Sequence, residues 1–228
     1  MWISRAMESI TPEEMGSIED RAEAIGVSKL LLMENAGASL AREIRQRIPN
    51  IEGKRIVFVT GSGNNGGDAM VCARHLASDR AKVMVFLLKN SESLKTSESL
   101  MNWKILEKMP KSVDLYQNTS DEFVPNLVSA IGEGDIIVDG IFGTGINGRL
   151  REPIPSIIEK INSSNAYKVA VDIPTGLDPA TGNVSDVSIK ADLTVTFHKV
   201  KAGLIGNLRE TGEIVVALIG IPPEATKD

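Results

Sequence analysis

The 228-residue sequence predicts an α/β protein with three layers, in which helices cover both faces of a mostly parallel central sheet. Two observations predict this class. Short β-rich runs alternate with helical segments from residue 55 onward, as they do in βαβ units. Several of the runs, such as residues 136–138 and 169–171, are wholly apolar, which is typical of parallel strands buried on both faces.

Two additional helices are predicted before the alternating part. Thr11 can cap a helix, with Pro12 at its first position and Glu14 completing a capping box, and this helix should end near Gly26. Ser28 can cap a second helix, whose apolar residues recur at spacings of three and four before residue 49. Both helices are expected to lie outside the βαβ core.

The remaining elements follow in alternation. Strands are predicted over residues 55–59, 82–88, 113–116, 135–139, 168–172, 193–197 and 213–218, and helices over residues 67–78, 100–108 and 122–131. Residues 91–99 form a polar connection that is too short to separate two domains. Residues 1–228 are therefore predicted to form one domain.

The composition of the chain indicates which classes of partner and which cellular compartment to expect. Thirty acidic against 25 basic residues give a net charge of −5, and without a basic run no nucleic-acid partner is expected. No segment approaches the roughly 18 apolar residues of a membrane span, and the first twenty residues lack a signal-peptide run, so no membrane partner and a cytoplasmic location are expected. The single cysteine, Cys72, excludes an internal disulfide and a cysteine-based zinc site.

A glycine-rich loop follows the first sheet strand, where ligands of parallel sheets bind. Residues 61–68 read GSGNNGGD, and Gly61, Gly63 and Gly66 match the G-x-G-x-x-G pattern of Rossmann-like dinucleotide sites. Backbone N–H groups at the start of the following helix could bind a phosphate, although a tight turn alone could require the same glycines. The fold is accordingly expected to be Rossmann-like.

The same region disfavours an ordinary redox cofactor. Rossmann domains place an acidic residue about 20 positions further on, at the end of the second strand, but here that strand ends at Lys89 and Asn90. Asp68 would also repel a diphosphate unless it faced a hydroxyl, a ring or a cation. A structural role for Asp68 is equally open, because a carboxylate in the first turn of a helix interacts favourably with the helix dipole.

Two further strand ends carry polar loops. Asp139 and Asp172 each follow buried aliphatic residues, where an ionised carboxylate is costly unless it meets a cation, a donor or a ligand. Residues 143–149, GTGINGR, again expose backbone N–H groups to an anion, and Ile146 stands where a ribokinase-like site would have its aspartate, which disfavours phosphoryl transfer. For Thr175, structural and ligand roles are evenly matched.

Five segments together resemble the NAD(P)H-hydrate epimerase family over nearly the whole chain: LLMENAG, GSGNNGGDAMVCARHL, VDGIFGTGINGRL, AVDIPTGLD and ADLTVTFHKVKAGL. The resemblance implies epimerisation of the C6 hydroxyl of hydrated NADH or NADPH, a damaged cofactor that a stereospecific dehydratase then restores. The dinucleotide would be a substrate rather than a hydride carrier. The resemblance also implies a homodimer, for which the N-terminal helices could supply the face, and functional coupling to a separate NAD(P)H-hydrate dehydratase.

The family resemblance also assigns site residues. Asp172 is the implied acid/base, and Asn65, Asp139 and Thr175 are the implied ligands of one potassium ion per subunit, whose oxygen donors suit a hard cation. Besides Asp172, the implied substrate-binding residues are Asn64, Asn65, Gly66, Gly67, Asp68, Gly143, Thr144, Gly145, Ile146, Asn147, Gly148 and Arg149.

Some residues depart from the family pattern or are given structural roles. Ala69 stands where relatives commonly have glycine, and Val200 and Ala202 interrupt a stretch around Lys201 that more usually contains proline. We expect Lys201 to be solvated or structural, because long lysines are mostly exposed. His75 and His198 are likewise expected to be structural, and Cys72 is expected to pack in the core.

Two alternatives to the epimerase reading stay open. The first is an NAD(P)-dependent oxidoreductase, which would bind undamaged cofactor tightly. The second is a non-catalytic module that binds a nucleotide or a protein on the same fold, since a fold does not determine a function.

Overall fold

The computed structural model describes residues 9–144, 149–184 and 186–226. The strands are β1 (Ser9–Ile10), β2 (Arg55–Thr60), β3 (Lys82–Leu87), β4 (Val113–Gln117), β5 (Ile136–Gly140), β6 (Tyr167–Val171), β7 (Leu193–Phe197), β8 (Val200–Lys201) and β9 (Glu213–Ala217). The α-helices are α1 (Pro12–Ala24), α2 (Lys29–Arg47), α3 (Asn64–Ala77), α4 (Ser97–Glu107), α5 (Phe123–Glu133), α6 (Ile154–Ser163) and α7 (Leu208–Thr211).

Seven strands form the central sheet, in the order β4-β3-β2-β5-β6-β7-β9, and every neighbouring pair is parallel. The chain runs outward from β2 to β4 and then returns to continue from β5 to β9. The order therefore reverses between β2 and β5. Open α/β sheets bind ligands at such a switch point, beyond the carboxyl ends of the strands.

Alternate residues of β2 separate the two faces of the sheet. Ile56 and Phe58 pack in one hydrophobic cluster with α2, α3 and α4, whereas Val57 and Val59 pack in another with α5 and α6. Successive side chains of a strand point to opposite faces, so both faces of β2 are buried under helices. The predicted three-layer α/β class with a parallel sheet is confirmed.

The two N-terminal helices begin at the predicted caps. The Thr11 and Glu14 side chains complete the capping box of α1, and the Ser28 side chain accepts from the Leu31 N–H at the start of α2. Both helices precede the βαβ alternation as expected, but both also contribute to the hydrophobic core: Ala22 of α1 is wholly buried in the same cluster as the apolar residues of α2. Leu40 of that helix is wholly buried in the same cluster as Phe58, because its apolar face packs along α3.

A two-stranded parallel sheet ties α1 to the rest of the molecule. β1 pairs with β8, so that Ile10 is the partner of Lys201. At the other end of the helix, the Arg21 Nε donates to the Ala225 carbonyl over 2.6 Å. Such two-residue strands carry no alternating pattern and were not predicted from the sequence.

Several predicted boundaries need correction. The helix predicted over residues 67–78 begins at Asn64, directly after the turn at Gly63, and the helix predicted from residue 100 begins at Ser97 because Thr96 caps it. Helix α6 was not predicted, since it lacks a side-chain cap and follows a proline-interrupted segment. Within the described residues, no helix is long and apolar enough to span a membrane.

Candidate active site

A cavity of about 420 Å³ lies at the switch point of the sheet. Its walls come from the beginning of α3, the segments that follow β5, β6 and β7, and the two N-terminal helices. Six of the residues predicted to bind substrate line it: Asn64, Asn65, Asp68, Gly143, Thr144 and Asp172. Predicted residues from three separate stretches of the sequence are thus brought to one site.

The glycine-rich turn positions the start of α3 against the neighbouring strand. The Gly61 N–H donates to the Gly140 carbonyl over 2.9 Å, and a Cβ on Gly61 would lie 1.9 Å from the Ile141 carbonyl oxygen. A Cβ on Gly66 would lie 2.1 Å from the Gly61 carbonyl oxygen. Only glycine permits these approaches, and they leave the first N–H groups of α3 at the cavity.

Gly67, another of the predicted substrate-binding residues, does not line the cavity. A Cβ there would lie 2.6 Å from the sulfur of Met33 on α2 and 2.8 Å from the Ser99 hydroxyl of α4. The glycine therefore allows three helices to pack closely. Its contribution in the described structure is to packing, and Gly66 acts similarly within the turn.

Asp139 and Thr175 form a buried network beneath the cavity. One carboxylate oxygen of Asp139 accepts from the Thr175 hydroxyl over 2.7 Å and from the Ile141 N–H, and the other accepts from the Thr175 N–H over 2.7 Å. The Thr175 hydroxyl oxygen in turn accepts from the Phe142 N–H. Burial raises the pKa of Asp139 to about 6, although these hydrogen bonds oppose the rise.

The Asn65 side chain is buried close to this network but has no partner in it. Neither its amide nitrogen nor its carbonyl oxygen forms a hydrogen bond with any described residue, and a Cβ on Gly143 would lie 3.3 Å from that oxygen. Buried amides are nearly always hydrogen-bonded, so an orphaned one indicates a missing partner such as an ion or a water.

The donors around the Asn65 amide suit a singly charged hard cation. The three residues implied as ligands offer an amide oxygen from Asn65, a hydroxyl from Thr175 and one carboxylate from Asp139, all of them hard oxygen donors. The described residues contain no cluster of three or more His, Cys, Asp or Glu that could hold a metal ion, which disfavours a zinc or multi-carboxylate calcium site. The residues present therefore fit a potassium ion.

Asp172 is held at the cavity in an uncommon backbone conformation, with φ of 62°. Its Oδ1 accepts from the Thr196 hydroxyl over 3.0 Å and from the Phe197 N–H over 3.1 Å. The Lys201 ammonium also donates to this oxygen. The left-handed conformation costs of order 1–3 kcal/mol in most residues and persists at functional sites where its surroundings hold it.

Lys201 is a site residue that the sequence analysis missed. We expected a solvated or structural lysine, but only 1% of its side chain is exposed, and its ammonium donates to Asp172 and, over 3.0 Å, to the Phe197 carbonyl. The expectation of a solvated side chain is wrong because β8 carries Lys201 inward beside β1. The short segment around it, HKVKAG, gave no periodic signal of burial.

Two further carboxyl groups that line the cavity have raised pKa values. Burial raises the pKa of Asp68 well above its usual range, and the charges of Asp172 and Glu19 raise it further while Lys201 opposes them. Burial, followed by the charge of Asp172, also raises the pKa of Glu19. Glu19 was not predicted as a site residue, because a glutamate in an amphipathic helix usually lies on the solvated face.

Among the described residues of the loop after β5, the predicted site residue Arg149 does not line the cavity. Arg149 is exposed, and its guanidinium lies 3.9 Å from the Asp186 carboxylate. Gly145, Ile146, Asn147 and Gly148 lie outside the described residues. The predicted anion-binding role of this loop stays a prediction.

His75 and Cys72 have the structural surroundings that were expected, whereas the structural role of His198 stays a prediction. His75 bonds to Glu34 over 2.8 Å on the outer side of α3, and Cys72 is buried in the hydrophobic core. His198 is half-buried, and both burial and the nearby lysines lower its pKa. None of the three lines the cavity at the switch point.

The sheet order, the glycine turn into α3 and the cavity at the switch point define a Rossmann-like α/β protein with its ligand site at the carboxyl edge of the sheet. A family model described as "YjeF-related protein N-terminus" matches residues 29–203. The chain belongs to this family, and the resemblance found in the sequence is confirmed.

Similar proteins agree with this assignment. The NAD(P)H-hydrate epimerase of Nitrosopumilus maritimus is 48% identical over 95% of this chain and 97% of its own length. The bifunctional NAD(P)H-hydrate repair enzyme of Methanothermobacter thermautotrophicus is 44% identical over 94% of this chain but only 40% of its own length. The crystal structure of the yeast protein ynu0 superposes with a TM-score of 0.75 at 28% identity, covering 87% of this chain and 83% of that one.

Proposed function

We propose that this protein is an NAD(P)H-hydrate epimerase, an isomerase that interconverts the two C6 epimers of hydrated NADH and NADPH. The observation that carries the proposal is the Asp172 carboxylate, held by the Lys201 ammonium in a cavity at the switch point of the sheet. Relatives that share nearly the whole chain are named for this reaction. The proposal favours a dinucleotide substrate over a hydride-carrying cofactor.

The chemistry needs a group that moves protons beside a ring that becomes positively charged. The C6 carbon is bonded to the ring nitrogen, so protonation of its hydroxyl releases water and leaves an iminium-like cation that water can re-enter from either face. A carboxylate such as Asp172 can move a proton and also stabilise the charged ring. Opening of the ring to an aldehyde, followed by closure, is the second permissible route.

Oxygen labelling separates the two routes. Departure and return of water would place ¹⁸O from labelled solvent in the C6 hydroxyl of each epimerised molecule. Ring opening would retain the original oxygen, apart from the slower exchange of the aldehyde. Mass spectrometry of the product after one turnover, against an enzyme-free sample, measures the difference.

The function is tested by following one purified epimer of hydrated NADPH by chromatography. We expect the parent protein to accelerate interconversion and Asp172→Asn to lower kcat by about 100-fold or more, since general acid–base groups contribute 10²–10⁴-fold. Asp114→Asn, which alters an exposed carboxylate on β4, is the matched control and should keep the parent rate. A parent protein without epimerase activity would contradict the function, and an unchanged Asp172→Asn rate would remove this carboxylate from the mechanism.

We also propose that one potassium ion per subunit is held by Asn65, Asp139 and Thr175. The orphaned Asn65 amide and the single buried carboxylate support this choice. When bound, the ion would supply a positive charge that neutralises the Asp139 carboxylate. Asp139 and Thr175 themselves fix the segment after β5 through their mutual hydrogen bonds.

A homodimer and functional coupling to a separate dehydratase complete the proposal. The coupling is supported by relatives named as bifunctional repair enzymes, of which this chain spans about 40%. Light scattering of the purified protein would test the dimer, and a molar mass near 24.5 kDa would contradict it. Coupling predicts that adding this protein lets a stereospecific dehydratase consume both epimers rather than one.

A further inference from the structure

Glu19 lies on the one face of α1 that forms part of the cavity wall. Four residues of this helix line the cavity, at positions 12, 15, 16 and 19, which is the spacing of a single helical face. Asp172 lines the same cavity from the end of β6. The two carboxyl groups therefore approach the enclosed space from different elements, one from an N-terminal helix and one from the edge of the sheet.

The helix that carries Glu19 is fixed at both ends. β1 leads into α1 and pairs with β8, where Lys201 is the partner of Ile10. Near the other end, Arg21 donates to the Ala225 carbonyl. This double attachment gives the Glu19 side chain a defined position relative to the Asp172–Lys201 pair, as a residue that transfers protons requires.

The two carboxyl groups have opposite surroundings. Asp172 accepts three hydrogen bonds, one of them from the buried ammonium of Lys201. Glu19 has no hydrogen-bond or ion-pair partner among the described residues, and burial raises its pKa. Pairs of carboxyls whose environments differ in this way commonly divide the acid and base roles.

Epimerisation by departure and return of water needs proton transfer on both faces of the ring. On one face the leaving hydroxyl must receive a proton, and on the other the entering water must lose one. Because the reaction is reversible, the group that acts as acid on a face in one direction acts as base there in the other. A single carboxylate on one wall serves one face only.

We propose that Glu19 is a second proton-transferring residue, which serves the face of the substrate ring opposite to that served by Asp172. The inference rests on the proposed epimerase function and deepens it.

The step balances in atoms and electrons. The protonated Glu19 carboxyl gives its proton to the C6 hydroxyl, the C6–O bond breaks with its electron pair on oxygen, and water leaves. The ring nitrogen lone pair forms the N1–C6 double bond. A second water then adds to C6 from the other face, the double-bond pair returns to nitrogen, and the surplus proton passes to the Asp172 carboxylate.

The charges around Glu19 decide how its titration should appear. The charges that act on Glu19 are Asp20 on its own helix, Lys29 on α2, and Asp172 and Lys201 on the side of the sheet. Asp172 opposes the ionisation of Glu19, and Lys201 favours it. The other ionisable groups that line the cavity are Asp68, Lys95 and Glu98. As pH rises, Glu19 loses the proton that it donates, so we expect a fall in kcat on the alkaline side that depends on Glu19.

The test compares the parent chain with Glu19→Gln and the matched control Glu23→Gln, which alters an exposed carboxylate one turn further along α1. The readout is the rate of interconversion of a purified epimer of hydrated NADPH across pH, with thermal unfolding measured for each variant. We expect Glu19→Gln to lower kcat by about 100-fold, to change KM little and to lose the alkaline fall. Glu19→Asp retains an acid, and it should recover part of the rate together with the alkaline fall.

Three results would overturn the proposal while leaving the epimerase function intact. The first is an active parent whose rate Glu19→Gln matches within about threefold, far below the usual contribution of a general acid. The second is a slower Glu19→Gln that keeps the pH profile of the parent, since this would indicate a structural effect. The third result applies if Glu19→Gln does not fold. It is a folded Glu19→Asp variant whose kcat does not fall at alkaline pH.

Discussion

Asp172 shows how one side chain is made available for chemistry. A non-glycine residue with φ of 62° is uncommon, and aspartate tolerates this region better than most residues. The hydrogen bonds from Thr196, Phe197 and Lys201 hold the carboxylate in place. The local strain is therefore balanced by contacts with β7 and β8, which lie more than 20 residues further along the chain.

Lys201→Met is predicted to destabilise the protein as well as to impair it. Removal of the ammonium leaves the Asp172 carboxylate without its charged partner, and breaking a buried pair in this way costs about 3–5 kcal/mol. For a chain of this length the thermal midpoint should fall by roughly 10 °C. Calorimetry measures the change.

The matched control for this substitution is Lys190→Met, which removes an exposed lysine and should leave the midpoint nearly unchanged. The double variant Lys201→Met with Asp172→Asn should recover part of the lost stability, because no unpaired charge is then buried. Equal midpoints for Lys201→Met and Lys190→Met would contradict the inferred ion pair.

At the scale of elements, the start of α3 depends on how closely two backbones can approach. Gly66 lies in the first turn of that helix, directly against the carbonyl of Gly61, the first residue after β2. The helix consequently begins at Asn64 and presents Asn64, Asn65 and Asp68 to the cavity. The prediction that this helix begins at residue 67 is wrong because it did not treat Gly66 as a helical residue.

Gly66→Ala is predicted to displace the beginning of α3, because its Cβ would meet the Gly61 carbonyl oxygen at 2.1 Å, and backbone cannot yield cheaply. We expect lower stability and weaker substrate binding. Gly132→Ala in α5 is the matched control, since a Cβ there meets nothing within 4 Å, and it should stabilise the protein by up to about 1 kcal/mol. Denaturant unfolding of both variants checks the contrast, and a loss of stability in Gly132→Ala equal to that in Gly66→Ala would contradict it.

At the scale of the whole molecule, the cavity is built by segments that are far apart in sequence. The reversal of strand order places the ends of β2 and β5 side by side, and the N-terminal helices close the space above them. The helices that we expected to supply a dimer face therefore form part of the site wall. Stability and ligand binding should be linked through this shared cavity.

Potassium is predicted to stabilise the fold in a pH-dependent way. Because burial raises the pKa of Asp139 to about 6 from 3.8, the folded state retains this proton more firmly than the unfolded state, and stability from this group is lost as pH rises from about 4 to 6. A cation that binds the ionised carboxylate offsets that loss. At pH 7.5, potassium should raise the thermal midpoint by about 2–4 °C for each kcal/mol of binding free energy, whereas at pH 5 the increase should be smaller.

The controls for potassium chloride are sodium chloride and tetramethylammonium chloride at the same ionic strength, so that charge screening is constant. Asp139→Asn removes the charge while keeping the size of the side chain, and its midpoint should respond equally to all three salts. A potassium-specific increase of the same size in Asp139→Asn, or at both pH values, would count against the site.

The sequence by itself determined the fold class and the family, and it singled out six residues that line the cavity. Apolar runs buried on both faces predict parallel strands, glycine spacing identifies the turn before α3, and Asp139 and Asp172 are conspicuous because isolated charges at buried strand ends need a reason. These signals are local, so each can be read from a few consecutive residues. The family is confirmed by the matching family model, and the proposed epimerase function is supported by relatives of that name that share nearly the whole chain.

Only the tertiary structure decided which distant groups meet. Lys201 is buried against Asp172 because a two-residue pairing with β1 places β8 there, and Glu19 reaches the cavity because α1 is attached at both ends. Neither contact leaves a periodic trace in the sequence, since each depends on packing between elements separated by many residues. The burial of a side chain, the charges near it and its resulting pKa depend on such contacts. They therefore follow from the three-dimensional arrangement rather than from residue type.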